Sequence, residues 1–340
     1  MKKALSLILA LLMVLSLAAC ASSQTAAEPA KEEAKTETSA QTQTEAPAAE
    51  ASASEEMKIG FAMYNVSEFT VLMRDGIQAE CDERGAKLIT LEAGYDAATQ
   101  LDQVENLITQ GCDAIVLAPV DADALVPAID MCEEAGVPLS VVNCALNTDK
   151  PYYYVGPDDV QAGEVETQYM MDTLGGKGNV LVFQCKIGTS YEIQRTEGIQ
   201  NVLAKYPDVT VLAIDSANGN RDEGVDLMEN WFETYGDQID GVISQNDGMA
   251  MGVIQVLQAN GKSDIPVIGV DAIEDALVAI DKGELLGTVY QDADLEGRNA
   301  VKLAFDLIDG NPPAEYINMI DMTLVTKDNA AELLKTVYGK

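Results

Sequence analysis

The stretch from Asp240 to Asp271 constrains the fold more than any other. It reads as one βαβ unit. Val242, Ile243 and Ser244 form a short apolar strand, which Gln245-Asn246-Asp247 break with polar groups. A helix follows with Met249, Val253, Val256 and Leu257 on its buried stripe, closed by Gly261. A second apolar strand, Val267 to Val270, ends in Asp271. Both strands stop in a polar side chain at their C-terminal ends, the edge at which ligands sit in an open parallel sheet.

The same order of parts occurs earlier. Asp113 opens a strand that runs to Asp121, a helix carries Leu125, Ile129 and Cys132, and Gly136-Val-Pro-Leu-Ser-Val-Val-Asn143 closes the unit. Asp113 matches Asp240, Pro138 matches Pro266 and Asn143 matches Asp271. A repeat this long, present twice, predicts two similar lobes rather than a solenoid. If each lobe points its strand ends at the other, Asn143 and Asp271 face one cleft. Any two βαβ units are somewhat alike, so chance similarity stays open at this point.

At 340 residues the chain is long enough for about two domains. Its 56 acidic residues against 21 basic ones give a net charge of -35, which argues against nucleic acid, anionic membrane surfaces and polyanions as partners. Histidine is absent, removing the commonest general base and metal ligand.

Residues 1–19 read as a signal peptide: Lys2 and Lys3 form a basic start, and Ala4 to Leu17 a short apolar run. Leu17-Ala18-Ala19-Cys20 resembles the lipobox of bacterial lipoproteins, in which cleavage precedes a lipid-modified cysteine. A secretory signal with a chance cysteine is the alternative. From Cys20 to Glu56 small and polar residues dominate, so this stretch reads as a disordered tether. The folded body begins at Met57.

From there strands and helices alternate regularly, which predicts an α/β protein with parallel sheets covered by helices on both faces. The pattern places strands at 58–63, 86–91, 152–155, 180–183, 209–214, 287–290 and 322–325 besides those of the two units. Helices fall at 69–84, around Leu101 to Ile108, at 191–205, 222–235 and 295–308. Cys81, Cys112, Cys132, Cys144 and Cys185 form no CxxC pair and read as reduced core residues, with Cys144, beyond a strand end, able to line a site. Gly175-Gly-Lys-Gly178 precedes a strand, whereas phosphate-binding glycines follow one, so it reads as a turn. Asp292-Ala-Asp-Leu-Glu-Gly297 fails as a calcium loop because Leu303 stands where the final carboxylate is required. No metal site, cofactor site or nucleophile emerges.

What does emerge is a set of polar residues at strand ends: Asn143, Asn246, Asp271 and Gln291, joined by Arg195 after Gly188-Thr-Ser190. Each alone has an ordinary use as a cap or turn residue. Their shared position makes a ligand site the stronger reading. Tyr64, Tyr191 and Tyr290 are candidate stacking faces.

With Asp75-Gly76, Gly188-Thr-Ser190, Arg195, Glu197-Gly198, Gln245-Asn-Asp247, Met249-Ala250, Val267-Ile-Gly-Val-Asp271 and Gln291, residues 57–340 resemble the type I periplasmic binding proteins, in particular their ribose-binding branch. The resemblance implies two Rossmann-like lobes joined by three crossing strands. It places lobe one at 57–157 plus 292–320 and lobe two at 158–291 plus 321–340. It also implies that Arg195, Asn246, Asp271 and Gln291 hydrogen-bond a sugar. The first-lobe positions depart from the family: an Asp-Arg pair becomes Asn143-Cys144, paired aromatics become Phe69-Thr70, the preceding asparagine is Ser67, and an aromatic of lobe two falls near Gly219. The implied function is a non-enzymatic, lipid-anchored extracytoplasmic binding protein. It would act as a monomer and deliver a neutral monosaccharide or polyol to an ABC permease. A sensor that presents its closed form to a receptor kinase is the alternative.

Overall fold

The computed structural model describes residues 56–340. The signal segment, Cys20 and the tether therefore lie outside the described residues. The first series comprises β1 (Lys58–Met63), α1 (Glu68–Arg84), β2 (Lys87–Glu92), α2 (Ala97–Thr109) and β3 (Ala114–Leu117). It continues through α3 (Pro127–Ala135), β4 (Leu139–Val142) and β5 (Tyr153–Pro157). The second comprises α4 (Asp159–Leu174), β6 (Gly178–Gln184), α5 (Ser190–Leu203), β7 (Val209–Ser216), α6 (Arg221–Tyr235) and β8 (Gly241–Ser244). It ends with α7 (Asp247–Ala259), β9 (Val267–Asp271), α8 (Glu274–Lys282) and β10 (Gly287–Tyr290). Then come α9 (Ala293–Ile308), β11 (Ile317–Ile320), β12 (Thr323–Val325) and α10 (Ala330–Tyr338).

Two six-stranded sheets result, in the orders β11-β5-β4-β3-β1-β2 and β12-β10-β9-β8-β6-β7. Every pairing is parallel except β10 with β12. The apolar strands Ala114–Leu117 and Gly241–Ser244 are buried along their whole length, as central strands covered on both faces must be. The chain passes between the sheets after β5, after β10 and between β11 and β12. In each lobe the strand order reverses beside the first strand of the series, β1 or β6, and the crevice beyond that reversal is where this architecture holds ligands.

Glycines set the helix spacing that matters for the site. A Cβ on Gly76 of α1 would come 2.4 Å from the Asp294 carbonyl of α9, and one on Gly297 of α9 would come 2.2 Å from the Met73 carbonyl. The same device joins α4 to α5, where a Cβ on Gly163 would sit 2.3 Å from the carbonyl of Arg195. These close crossings bring Glu296 and Arg195, which neighbour the contacts, to the cleft.

Four elements are missing from the alternation read in the sequence, the first being helix α4, whose buried face includes Asp159, Glu166 and Thr167 and so breaks its apolar stripe. Helix α8 carries the helical period at Ala276, Leu277, Ala279 and Ile280, but within a short segment. Strand β11 lies at a sheet edge with Ile317 and Met319 about half exposed, so it lacks a buried face to announce it. Helix α10 buries only Ala330 fully. Gly175 and Gly176 form the turn read from sequence, both with positive φ. Asp292 caps α9 by accepting from the Leu295 amide at 3.0 Å, which explains the acidic cluster without calcium. Cys81, Cys112, Cys132, Cys144 and Cys185 are all unpaired and buried.

Candidate functional site

Loops from both sheets enclose a cleft with two connected chambers. The outer holds about 430 Å³ and the inner about 30 Å³. Ser67, Phe69 and Tyr95 from the first lobe and Gly219, Asn246 and Asp271 from the second line both. Tyr64, Asn143, Cys185, Tyr191, Arg195 and Gln291 line the inner chamber alone.

Helix capping fixes several of these side chains. Ser67 caps α1, accepting from the Thr70 amide at 3.2 Å, while the Thr70 hydroxyl accepts from the Ser67 amide at 2.7 Å. Asn246 caps α7 by accepting from the Met249 amide at 3.0 Å and donates to the Gly219 carbonyl at 3.0 Å. Asn143 at φ 65° and Asp271 at φ 119° turn the chain sharply at the ends of their strands, a backbone conformation that side chains other than glycine rarely adopt. The Tyr154 hydroxyl holds the Asn143 carbonyl at 2.9 Å.

One hydrogen-bonded chain crosses the floor between the lobes. The Tyr64 hydroxyl donates to Asn143 Oδ1 at 3.1 Å, and Asn143 Nδ2 donates to Glu296 Oε2 at 3.1 Å. Gln291 Nε2 donates to Glu296 Oε1 at 2.9 Å, and its Oε1 accepts from Arg195 Nη2 at 2.8 Å. Arg195 Nε reaches Asp159 at 2.8 Å, and Nη1 reaches the Gln245 carbonyl at 2.5 Å. Every guanidinium nitrogen is thus engaged by protein. Burial opposes the charge on Arg195, but Asp159 and then Asp271 outweigh it and keep it protonated.

Two residues expected in the site, Thr70 and Cys144, lie outside the lining of both chambers. Arg195 makes its close ion pair with Asp159, while Asp271 stands 3.8 Å from Nη1. Thr70 is fully buried in the capping box and lines neither chamber, because its hydroxyl turns back to Ser67. Cys144 lies behind the wall, its thiol 3.4 Å from Asn143 Oδ1, and burial raises its pKa. Of the three tyrosines, Tyr64 and Tyr191 line the inner chamber and Tyr290 does not.

Sequence reasoning missed Tyr95, Asn65, Asp159 and Glu296. Tyr95 at φ 59° stacks on Tyr64 with ring centroids 5.7 Å apart, and its hydroxyl lies 3.4 Å from that of Tyr191. It occupies space beside Gly219, where an added Cβ would approach the Tyr95 hydroxyl at 3.9 Å. Tyr95 thus brings an aromatic side chain from the first lobe to the space beside Gly219. Asp159 follows the helix-capping Asp158, a position that carries no sequence signal of a buried ion pair.

The floor carries acids displaced from their ordinary range. Burial pushes Asp271 up to about 7, with Arg195 pulling the other way. Burial pushes Glu296 up to about 8 against the hydrogen bonds from Gln291 and Asn143 that favour its anion. Chemically, the cleft offers acceptors, donors and aromatic faces, with no hydroxyl or thiol poised beside a base. Among the described residues no cluster of three or more His, Cys, Asp or Glu is placed to hold a metal ion.

Residues 59–312 match the family model described as a periplasmic binding protein domain. The xylitol-binding protein of Mycolicibacterium smegmatis is 42% identical over 279 residues, 82% of this chain and 80% of that protein. A putative rhizopine-binding protein of Rhizobium meliloti is 34% identical, covering 83% of this chain and 93% of its own length. Among solved structures, an ABC transporter solute binding protein from Bacillus halodurans with bound myo-inositol matches with a TM-score of 0.78. It is 33% identical, and the match covers 82% of this chain and 97% of that one. The two-sheet architecture, the cleft at both strand reversals and these matches together establish that the chain belongs to the periplasmic binding protein family.

Proposed function

We propose that this chain is the extracytoplasmic, lipid-anchored binding component of an ABC transporter, and that it captures a neutral monosaccharide or related polyol between its lobes without chemical turnover. The carrying observation is the wall common to both chambers, where Ser67, Phe69 and Tyr95 of one lobe face Gly219, Asn246 and Asp271 of the other. A ligand there touches both lobes at once, so its binding energy favours their closure.

The chemistry suits hydroxyl groups. Among the described residues Asp271 has no short side-chain hydrogen bond and so is free to accept from a sugar hydroxyl, Asn246 retains an amide hydrogen, and Phe69 and Tyr95 supply flat apolar faces. A charge-assisted hydrogen bond contributes roughly 1.5–3 kcal/mol, and a few such contacts less ordering costs reach about -8 kcal/mol, a micromolar constant. The names of the relatives, xylitol-binding and bound to myo-inositol, point to the same ligand class.

Calorimetry of the purified chain against xylitol, other pentitols, inositols, pentoses and hexoses tests this. Micromolar binding of at least one neutral member is the expected result. Binding confined to sugar acids or phosphates would overturn the ligand class.

A further inference from the structure

The two strands beside which the sheet order reverses, β1 and β6, deliver their next residues to the cleft in the same order. β1 ends at Met63 and β6 at Gln184. One position further on, Tyr64 and Cys185 line the inner chamber, which at about 30 Å³ admits only a water molecule or two. Two positions further on, Asn65 and Lys186 line the outer chamber of about 430 Å³, where a sugar or polyol has room. One comes from each lobe, at equivalent places beyond the strand ends where this architecture holds ligands.

The protein uses neither polar end. Asn65 Oδ1 is buried without a hydrogen-bond partner. Lys186 is half-buried, and among the described residues its Nζ has neither an ion-pair nor a hydrogen-bond partner; it stands 6.0 Å from the centre of the Tyr95 ring. Other charges on this wall are engaged: Arg221 pairs with Asp275 at 2.6 Å, and Glu223 accepts from Asn218 at 2.6 Å. When the closed cleft excludes water, an acceptor and an ammonium left unpaired both cost free energy unless the ligand meets them.

We infer that Asn65 and Lys186 are specificity-determining residues of the cleft, reading hydroxyl groups of the bound polyol from opposite lobes. The inference rests on the proposed function and deepens it. Asn65 Oδ1 only accepts, so it demands an O–H on the ligand, whereas the Lys186 ammonium only donates and demands an oxygen. A hydroxyl satisfies either. A hydrogen in its place leaves the protein group unpaired, so the site rejects deoxy analogues at the positions it reads. An anion at Lys186 would gain one cation but bring its charge into a chamber that Asp271 and Glu223 also line, so the group read there is neutral.

The test is calorimetry of the full chain against xylitol, D-xylose, D-ribose and myo-inositol, each with its monodeoxy analogues. For the tightest parent, at least one analogue should bind about tenfold or more weakly. Lys186→Met should weaken that parent by about tenfold or more and reduce one parent-to-analogue ratio to about threefold or less. Asn65→Ala should weaken it by about threefold or more and flatten a ratio in the same way. Because Lys186 Nζ holds no protein group, the urea midpoint of Lys186→Met without ligand should match that of the parent protein. A folded Lys186→Met that binds every probe as the parent protein does, or weakens parents and analogues by one common factor, would overturn the role of Lys186 and leave the proposed function standing. Asn65→Ala with every ratio intact would do the same for Asn65. Silence of all four parent compounds toward the unsubstituted chain would overturn both the inference and the proposed function.

Discussion

Arg195 Nε lies 2.8 Å from Asp159 Oδ1, and both side chains are at least 96% shielded from solvent. The nearest contact of Arg195 with Asp271 is 3.8 Å. The two carboxylates therefore divide the labour: Asp159 neutralises the arginine from behind, and Asp271 keeps its oxygens for the cleft. Removing one partner of a buried pair leaves an uncompensated charge, typically worth about 3–5 kcal/mol. Asp159→Ala should therefore lower unfolding stability on that scale. Asp271→Ala should destabilise less, because Arg195 keeps its close counter-ion.

Ligand binding should show the reverse order. Asp271→Asn removes a charged acceptor from the wall shared by both chambers, and affinity for a bound polyol should fall by about 1.5–3 kcal/mol. Urea unfolding and calorimetry on Asp159→Ala, Asp271→Ala and Asp271→Asn check the pair of statements. An Asp271→Asn protein that binds as tightly as the parent would remove Asp271 from the site.

The buried acids predict how stability varies with pH. Asp271 rises from its ordinary 3.8 to about 7 and Glu296 from 4.5 to about 8, both by burial. A carboxyl whose native value lies above its unfolded value takes up a proton on folding, so stability falls as pH rises through that interval. The loss should begin above about pH 4 and be complete for these two groups near pH 8. The urea midpoint should therefore be higher at pH 5 than at pH 8. Glu296→Gln should be less stable at pH 5, since one of its two accepted hydrogen bonds is lost, but should show a shallower decline between pH 6 and 8. A parent midpoint that rises from pH 5 to pH 8 would contradict the assignment.

The alternation of strands and helices was legible because central parallel strands such as Ala114–Leu117 are continuously apolar and their helices are periodic. Asn143, Arg195, Asn246, Asp271 and Gln291 were legible as polar interruptions at strand ends or helix starts, and the fold gathers them around one cleft. Their individual partners were not. Asp159 and Glu296 lie inside helical stretches, where a carboxylate ordinarily faces water; only the glycine crossings of α4 with α5 and α1 with α9 turn them inward. Tyr95 escaped for a related reason, because its position depends on a left-handed backbone turn that a lone tyrosine in a loop does not announce.

Lipid attachment at Cys20 is a separate prediction from the sequence. The cysteine follows a basic start and an apolar run of lipoprotein type. Among the described residues no helix is long and apolar enough to cross a membrane. Wild-type protein should incorporate labelled fatty acid and fractionate with membranes, whereas Cys20→Ala should do neither. Equal labelling of the two would move the anchor away from Cys20.

Closure of the lobes can be tested through the contacts that bridge them. The Ala122 amide donates to the Gly188 carbonyl at 2.9 Å, the Ala145 amide donates to Ser190 Oγ at 2.7 Å, and Arg221 reaches Glu68 at 3.5 Å. The first joins two loops, and the second ties a loop to the first residue of α5. The third is a half-exposed ion pair at the cleft mouth, worth no more than about 1 kcal/mol and weakened by salt. The crossings after β5, after β10 and between β11 and β12 are short, so rotation there would part the lobes as bodies. Arg221→Ala should therefore shift the unliganded chain toward a more open form without unfolding it, while bound ligand restores the compact form. Small-angle scattering reads this as a larger radius of gyration for the unliganded variant than for the unliganded parent, with convergence at saturating ligand. High salt should reproduce part of the effect in the parent and little in the variant. Identical scattering for parent and variant, with and without ligand, would mean that neither Arg221 nor the ligand controls the separation of the lobes.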